Sequence, residues 1–95
     1  MLKTRPINFP VYKHVSGTVG ATAGTVTSIT GRQGAFITIE GAGIRYRLDG
    51  TAATTTVGHP LTAGQSLLLT DPTSLGNLSM IRKDGVDATY QASLY

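Results

Sequence analysis

The chain has no cysteine and no tryptophan, and only two histidines and five acidic residues among its 95 positions. Without cysteine, neither a disulfide nor a thiolate metal site can staple the fold. Two histidines leave little for a metal cluster, and no cofactor is expected. The missing tryptophan and the sparse aromatics weigh against a sugar-binding platform. Near the N-terminus only Phe9 and Tyr12 interrupt the basic residues, a poor basis for stacking single-stranded nucleic acid. Long apolar runs are missing too. Leu67-Leu68-Leu69 falls far short of the roughly 20 residues a membrane-crossing helix needs. The opening Met-Leu-Lys-Thr-Arg-Pro-Ile-Asn lacks the apolar stretch of a signal peptide. A soluble protein held in a cytoplasm-like environment, with no membrane partner, is the expectation.

What charge there is lies unevenly. Lys3, Arg5, Lys13 and Arg32 all precede Glu40, the first acidic residue, and the remainder is nearly neutral. This basic leader suits either nucleic acid or an acidic protein surface, or is simply a solvated arm. The modest net charge of +3 argues against an oligonucleotide-binding fold. Residues 1–33 read as an extended Pro/Gly/Thr-rich arm with at most a weak strand around Thr25–Thr30. Residues 34–95 then remain to form a compact β domain. A domain that small buries only roughly 60% of its unfolded surface. With no covalent staple, oligomerisation is the expected source of extra stability.

Twelve glycines, many threonines and no sustained 3.6-residue period exclude long helices. The clearest element is 35–49, which reads as a β-hairpin turning at Ala42-Gly43. That register sets Glu40 opposite Arg45, Thr38 opposite Arg47, Ile39 opposite Tyr46 and Ile37 opposite Leu48, one face apolar and the other polar. Asp49 opens a loop through Thr54-Thr55-Thr56 to Pro60. Leu61–Gln65 reads as a tight turn, Ser66–Thr70 as a buried strand and Asp71–Ser74 as a turn. A second hairpin, 76–82 with 86–94, is expected around Asp84-Gly85, pairing Arg82 with Asp87 and Ile81 with Ala88. Its Leu78 and Met80 fall opposite Gln91 and Thr89, so the strand is apolar on both faces and suits a sandwich edge that meets another subunit. The class is all-β: a small antiparallel sandwich or barrel, jelly-roll-like, with an extended N-terminal arm.

A search for catalytic chemistry finds none. His14 and His59 have neither an i,i+4 partner nor a neighbouring carboxylate. Gly64-Gln65-Ser66-Leu67-Leu68 lacks the final glycine of a nucleophile elbow. Gly17, Gly20 and Gly24 are not followed by the Gly-Lys-Ser/Thr of a phosphate loop. Asp71 and Asp84 are explained by turn chemistry. Asn77-Leu78-Ser79 matches a glycosylation sequon, discounted for want of a secretory signal. Glu40, Arg45 and Arg47 form either a solvent-facing ion-pair face or an interface, and Arg45 and Arg47 could also offer an anion-binding platform.

The run Ile44-Arg45-Tyr46-Arg47-Leu48-Asp49-Gly50, a threonine-rich loop to Gly58-His59-Pro60-Leu61, then Leu61-x-x-Gly64-x-x-Leu67-x-Leu69, Met80-Ile81-Arg82 and Asp87-Ala88-Thr89 resembles the small β-rich virion proteins of tailed bacteriophages. The resemblance covers about residues 34–95 and contains no catalytic motif. It implies a non-enzymatic capsid decoration or cement protein on the head exterior, with the major capsid protein and copies of itself as partners, a trimer being favoured. A head-to-tail or neck component on the same fold, and a β-sandwich ligand-binding module, are the alternatives. In the first reading the leader lies across a neighbour, adding a strand to an exposed edge, with Ile7, Phe9, Val11 and Tyr12 as its anchors.

Overall fold

Strict alternation governs the stretch Ala35–Glu40. Ala35, Ile37 and Ile39 are fully buried, whereas Phe36 and Glu40 are exposed and Thr38 is half-buried. The same period of two runs through the last strand, where Ala88, Tyr90, Ala92 and Leu94 point inward. A computed structural model describes residues 13–95, and the four arm anchors Ile7, Phe9, Val11 and Tyr12 lie outside them. The described chain runs β1 (Lys13–Val19), β2 (Ala35–Glu40), β3 (Ile44–Arg47), β4 (His59–Leu61), β5 (Ser66–Leu69), α1 (Pro72–Asn77), β6 (Ser79–Arg82) and β7 (Ala88–Leu94).

These strands form two antiparallel sheets, one ordered β1-β7-β2-β5 and the other β4-β3-β6. A single apolar cluster joins them. Ile37, Ile39, Tyr90 and Leu94 come from the first sheet, Ile44, Leu61 and Met80 from the second, and Leu75 of α1 is part of the same cluster. The fold is therefore a small all-β sandwich. None of the described helices is long and apolar enough to cross a membrane.

Both expected hairpins are corrected. β2 and β3 do not pair: β2 lies between β7 and β5, and β3 between β4 and β6. Gly41-Ala42-Gly43 is an arch between sheets, with Gly41 at φ +85° supplying the left-handed step that β-branched residues resist. Likewise β6 and β7 belong to different sheets, although the Arg82–Asp87 ion pair across their connection does form, at 2.7 Å.

Part of the segment read as an arm belongs to the sandwich. β1 is a seven-residue strand paired with β7 from Lys13↔Leu94 to Val19↔Ala88, and Val19 and Val26 are core residues. No regular strand forms over 25–30. The nearby Gly24 instead bridges Met80, through N–H···O bonds of 2.9 and 2.7 Å, and Gly20 accepts from the Arg82 N–H. Met80 and Ile81 are both buried, on the two faces of β6, and the edge of that strand is met by residues 20–24 of the same chain. Asp71–Ser74 does more than turn. Asp71 is the N-cap of α1, its carboxylate accepting from the Ser74 N–H at 2.7 Å, and Pro72 opens the helix, where a missing N–H is harmless.

Candidate interaction surface

Arg45 and Arg47 share one face of β3 because they are two residues apart in a strand. The loop from Leu48 to Gly58 folds over that face. Arg45 Nε donates to the Thr55 carbonyl at 2.9 Å, and its Nη1 donates to the Gly58 carbonyl at 3.0 Å. Ser79 Oγ on the adjoining β6 accepts the Ala53 N–H at 3.0 Å, and Ala53 is buried. The Arg45 guanidinium is thus a clamp on the loop, two of its donors bonding protein carbonyls.

Arg47 is engaged too. It holds Asp49 in a two-bond fork, Nε to Oδ1 at 3.0 Å and Nη2 to Oδ2, and Asp49 Oδ1 also accepts the Thr51 N–H. The hydrogen bond from Arg47, then that from Thr51, lowers the Asp49 pKa, and the same Asp49 bond raises that of Arg47. Alongside lies an open groove of about 550 Å³ lined by Arg47, Leu48, Asp49, Val57, Gly58 and His59, whose two opposite charges neutralise each other. His59 packs its ring against Tyr46, centroids 5.4 Å apart. His14 meets Gln91 at 2.8 Å.

Glu40 is exposed at the end of β2, in the other sheet from Arg45, so the expected Glu40–Arg45 pair is absent, and Glu40 has no ion pair among the described residues. The structure therefore does not bring Glu40, Arg45 and Arg47 together as one face. Nor does any group of three His, Asp or Glu among the described residues form a metal-binding cluster.

A surface feature missed by sequence reasoning lies on the opposite side of the sandwich. Ser66–Thr70 is not a buried strand but an edge, with Leu68 exposed at 58%. Leu68 sits directly across from Phe36, 41% exposed. The row continues through Ser93 to His14, and the next through Ser66, Thr38, Gln91 and Ser16, so two apolar side chains stand together on an otherwise polar sheet face. The signal was available: once Ala35, Ile37 and Ile39 face the core, Phe36 must face out. Comparison with protein-family models, with curated proteins and with solved structures found no match.

Proposed function

We propose that this protein is a non-enzymatic structural component of a tailed-phage virion, decorating and stabilising the capsid through symmetric contacts and its N-terminal leader. The observation that carries the reading is where the chemistry is spent. Both arginines of the candidate polar face are engaged within the chain, and two exposed apolar side chains, Phe36 and Leu68, stand together at a strand edge that no other described strand covers. That combination suits a protein that works by docking, and weakens the case for a ligand-binding module at Arg45, Tyr46 and Arg47. The resemblance over 34–95 supplies the setting, and the basic, proline-punctuated leader supplies a segment able to cross onto a neighbour. Repeated symmetric copies relax the affinity required of each contact.

Cosedimentation with purified empty shells tests the proposal. A decoration protein pellets in fixed ratio to the major capsid protein over the whole shell. Binding limited to a single ring of copies at one vertex would reassign the chain to the neck, and indifference to shells would overturn the virion reading. Deleting residues 1–12 should leave the sandwich folded by circular dichroism yet abolish attachment. A truncated chain that still decorates shells would remove the leader from the mechanism.

A further inference from the structure

Among the described residues no strand pairs with the outer edge of β5, and that edge has a definite polarity, set by the turn before it. Gln65 N–H bonds the Thr62 carbonyl at 3.0 Å, closing a turn with Gly64 at φ +89°. Gly64 N–H then donates to the Ile39 carbonyl at 2.7 Å while Ile39 N–H donates to the Gln65 carbonyl at 3.0 Å, so two residues oppose one in a glycine β-bulge. Hydrogen-bonded and non-bonded pairs alternate along an antiparallel ladder. From Ile39–Gln65, the Ile37–Leu67 and Ala35–Leu69 pairs are therefore the bonded ones, and Phe36–Leu68 is a close non-bonded pair. The N–H and C=O of Leu68 consequently point away from β2, to the open edge, while its side chain stands beside Phe36 on the outer face.

The other edges among the described strands offer no equivalent. β6 is closed by residues 20–24. β4 is three residues long with Pro60 at its centre. β1 exposes His14, Ser16 and Thr18 outward, with no large apolar side chain beside them.

The leader matches the β5 edge in parity. Ile7, Phe9 and Val11 alternate with Asn8 and Pro10, and Pro6 shares the parity of Pro10. In a strand, residues of one parity share both a face and a hydrogen-bonding direction. If Ile7, Phe9 and Val11 bond to the Leu68 edge, their side chains join Leu68 and Phe36 on the outer face. Both prolines then turn their missing donors to solvent, the one place where a strand tolerates them.

Reach decides whose edge is used. Phe9 is four residues from Lys13, at most about 14 Å of extended chain. A strand added outside β5 lies four strand spacings, about 19 Å, from β1. A chain's own Phe9 cannot get there. We propose that residues 7–11 of one copy add as an antiparallel fifth strand to the β5 edge of a second copy, seating Phe9 beside Leu68 and Phe36. This rests on the docking role given above to the leader, but not on the capsid.

The absence of cysteine makes a direct test clean. Full-length Phe9→Cys chains are mixed with full-length Leu68→Cys chains under mild oxidation, without shells. Paired strands set Cα atoms about 5.5 Å apart, inside the disulfide range. The expected product is a covalent heterodimer well in excess of the homodimer from either variant alone. The double variant F9C/L68C at low concentration should give linked multimers. An internally bridged monomer, or no bridge from a chain that light scattering finds monomeric, overturns the inference. In a second arm, Leu68→Lys, at an exposed position that keeps the fold intact by circular dichroism, should weaken self-association at least about tenfold; unchanged association would refute the assignment of this edge. Shell binding is read separately. A chain that forms the Phe9–Leu68 bridge but ignores shells upholds this inference and removes the virion reading, whereas shell binding without the bridge does the reverse.

Discussion

Replacing Arg45 with alanine asks whether the loop from Leu48 to Gly58 depends on one side chain. The guanidinium makes two hydrogen bonds to that loop, one to the exposed Thr55 carbonyl and one to the partly buried Gly58 carbonyl. A bond from a charged donor contributes about 1.5–3 kcal/mol where water is excluded. Here both carbonyls can recover water once the loop lifts, so the pair together is worth about 1–3 kcal/mol. In a domain of this size each kcal/mol moves the midpoint by about 4–8 °C, so Arg45→Ala should lower Tm by about 4–24 °C. Limited proteolysis should also cut between Leu48 and Gly58 faster, because the clamp holds that segment over the sheet. Arg45→Lys keeps the charge but loses the fork that spans two carbonyls, and should recover less than half of the loss. Arg47→Ala is the comparison: its fork reaches only the exposed Asp49, two residues on, and holds no longer loop in place, so it should cost less than Arg45→Ala. The reasoning fails if Arg45→Ala melts with the wild type and resists cleavage equally, or if Arg47→Ala costs more.

Other consequences are equally direct. A Cβ at Gly34 would lie 2.2 Å from the Leu69 carbonyl oxygen, a backbone atom that cannot swing aside. Gly34→Ala should therefore separate β2 from β5 and cost at least about 2 kcal/mol in urea unfolding. Ile39→Ala, at a fully buried position, should cost about 2–5 kcal/mol by the same assay, depending on how far the core collapses around the cavity. Asp49 and Asp71 have pKa values below the ordinary 3.8, Asp71 because the Ser74 N–H and then its hydroxyl bond the carboxylate. The unfolded chain thus takes up these protons first. Their contribution is complete above the ordinary carboxylate range, and declines as pH falls through it to the lower folded values. Asp71→Asn retains a capping oxygen, and should flatten this acid limb in pH-dependent melting while changing little at neutral pH.

The amino-acid sequence by itself determined the all-β class and the strands at 35–40, 44–47, 66–69, 79–82 and 88–94, because these are local properties, whereas β1, β4 and α1 were not legible. A period of two over 35–40 and 88–94, glycine and aspartate at the reversals, and the lack of a sustained 3.6-residue period are written in neighbouring residues. Even the Arg82–Asp87 pair was legible, since the four residues between them turn the chain and bring those side chains together whichever sheets the strands enter. Partner choice was not legible. The alternation that would suit a hairpin from Ala35 to Asp49 suits equally an arch over the core, since both arrangements bury Ile37, Ile39 and Ile44; only packing against β7, β5, β4 and β6 decided between them. The roles of single residues followed from that decision. Arg45 became a clamp because β3 brought the loop's carbonyls over it, and β1 became integral because β7 needed a partner on its far side. Leu68, placed by its leucine neighbours in a buried strand, became surface because no further strand of the described chain lies beyond β5. Side-chain periodicity is fixed over a few residues, whereas strand order depends on contacts between segments tens of residues apart, which alternation alone does not encode.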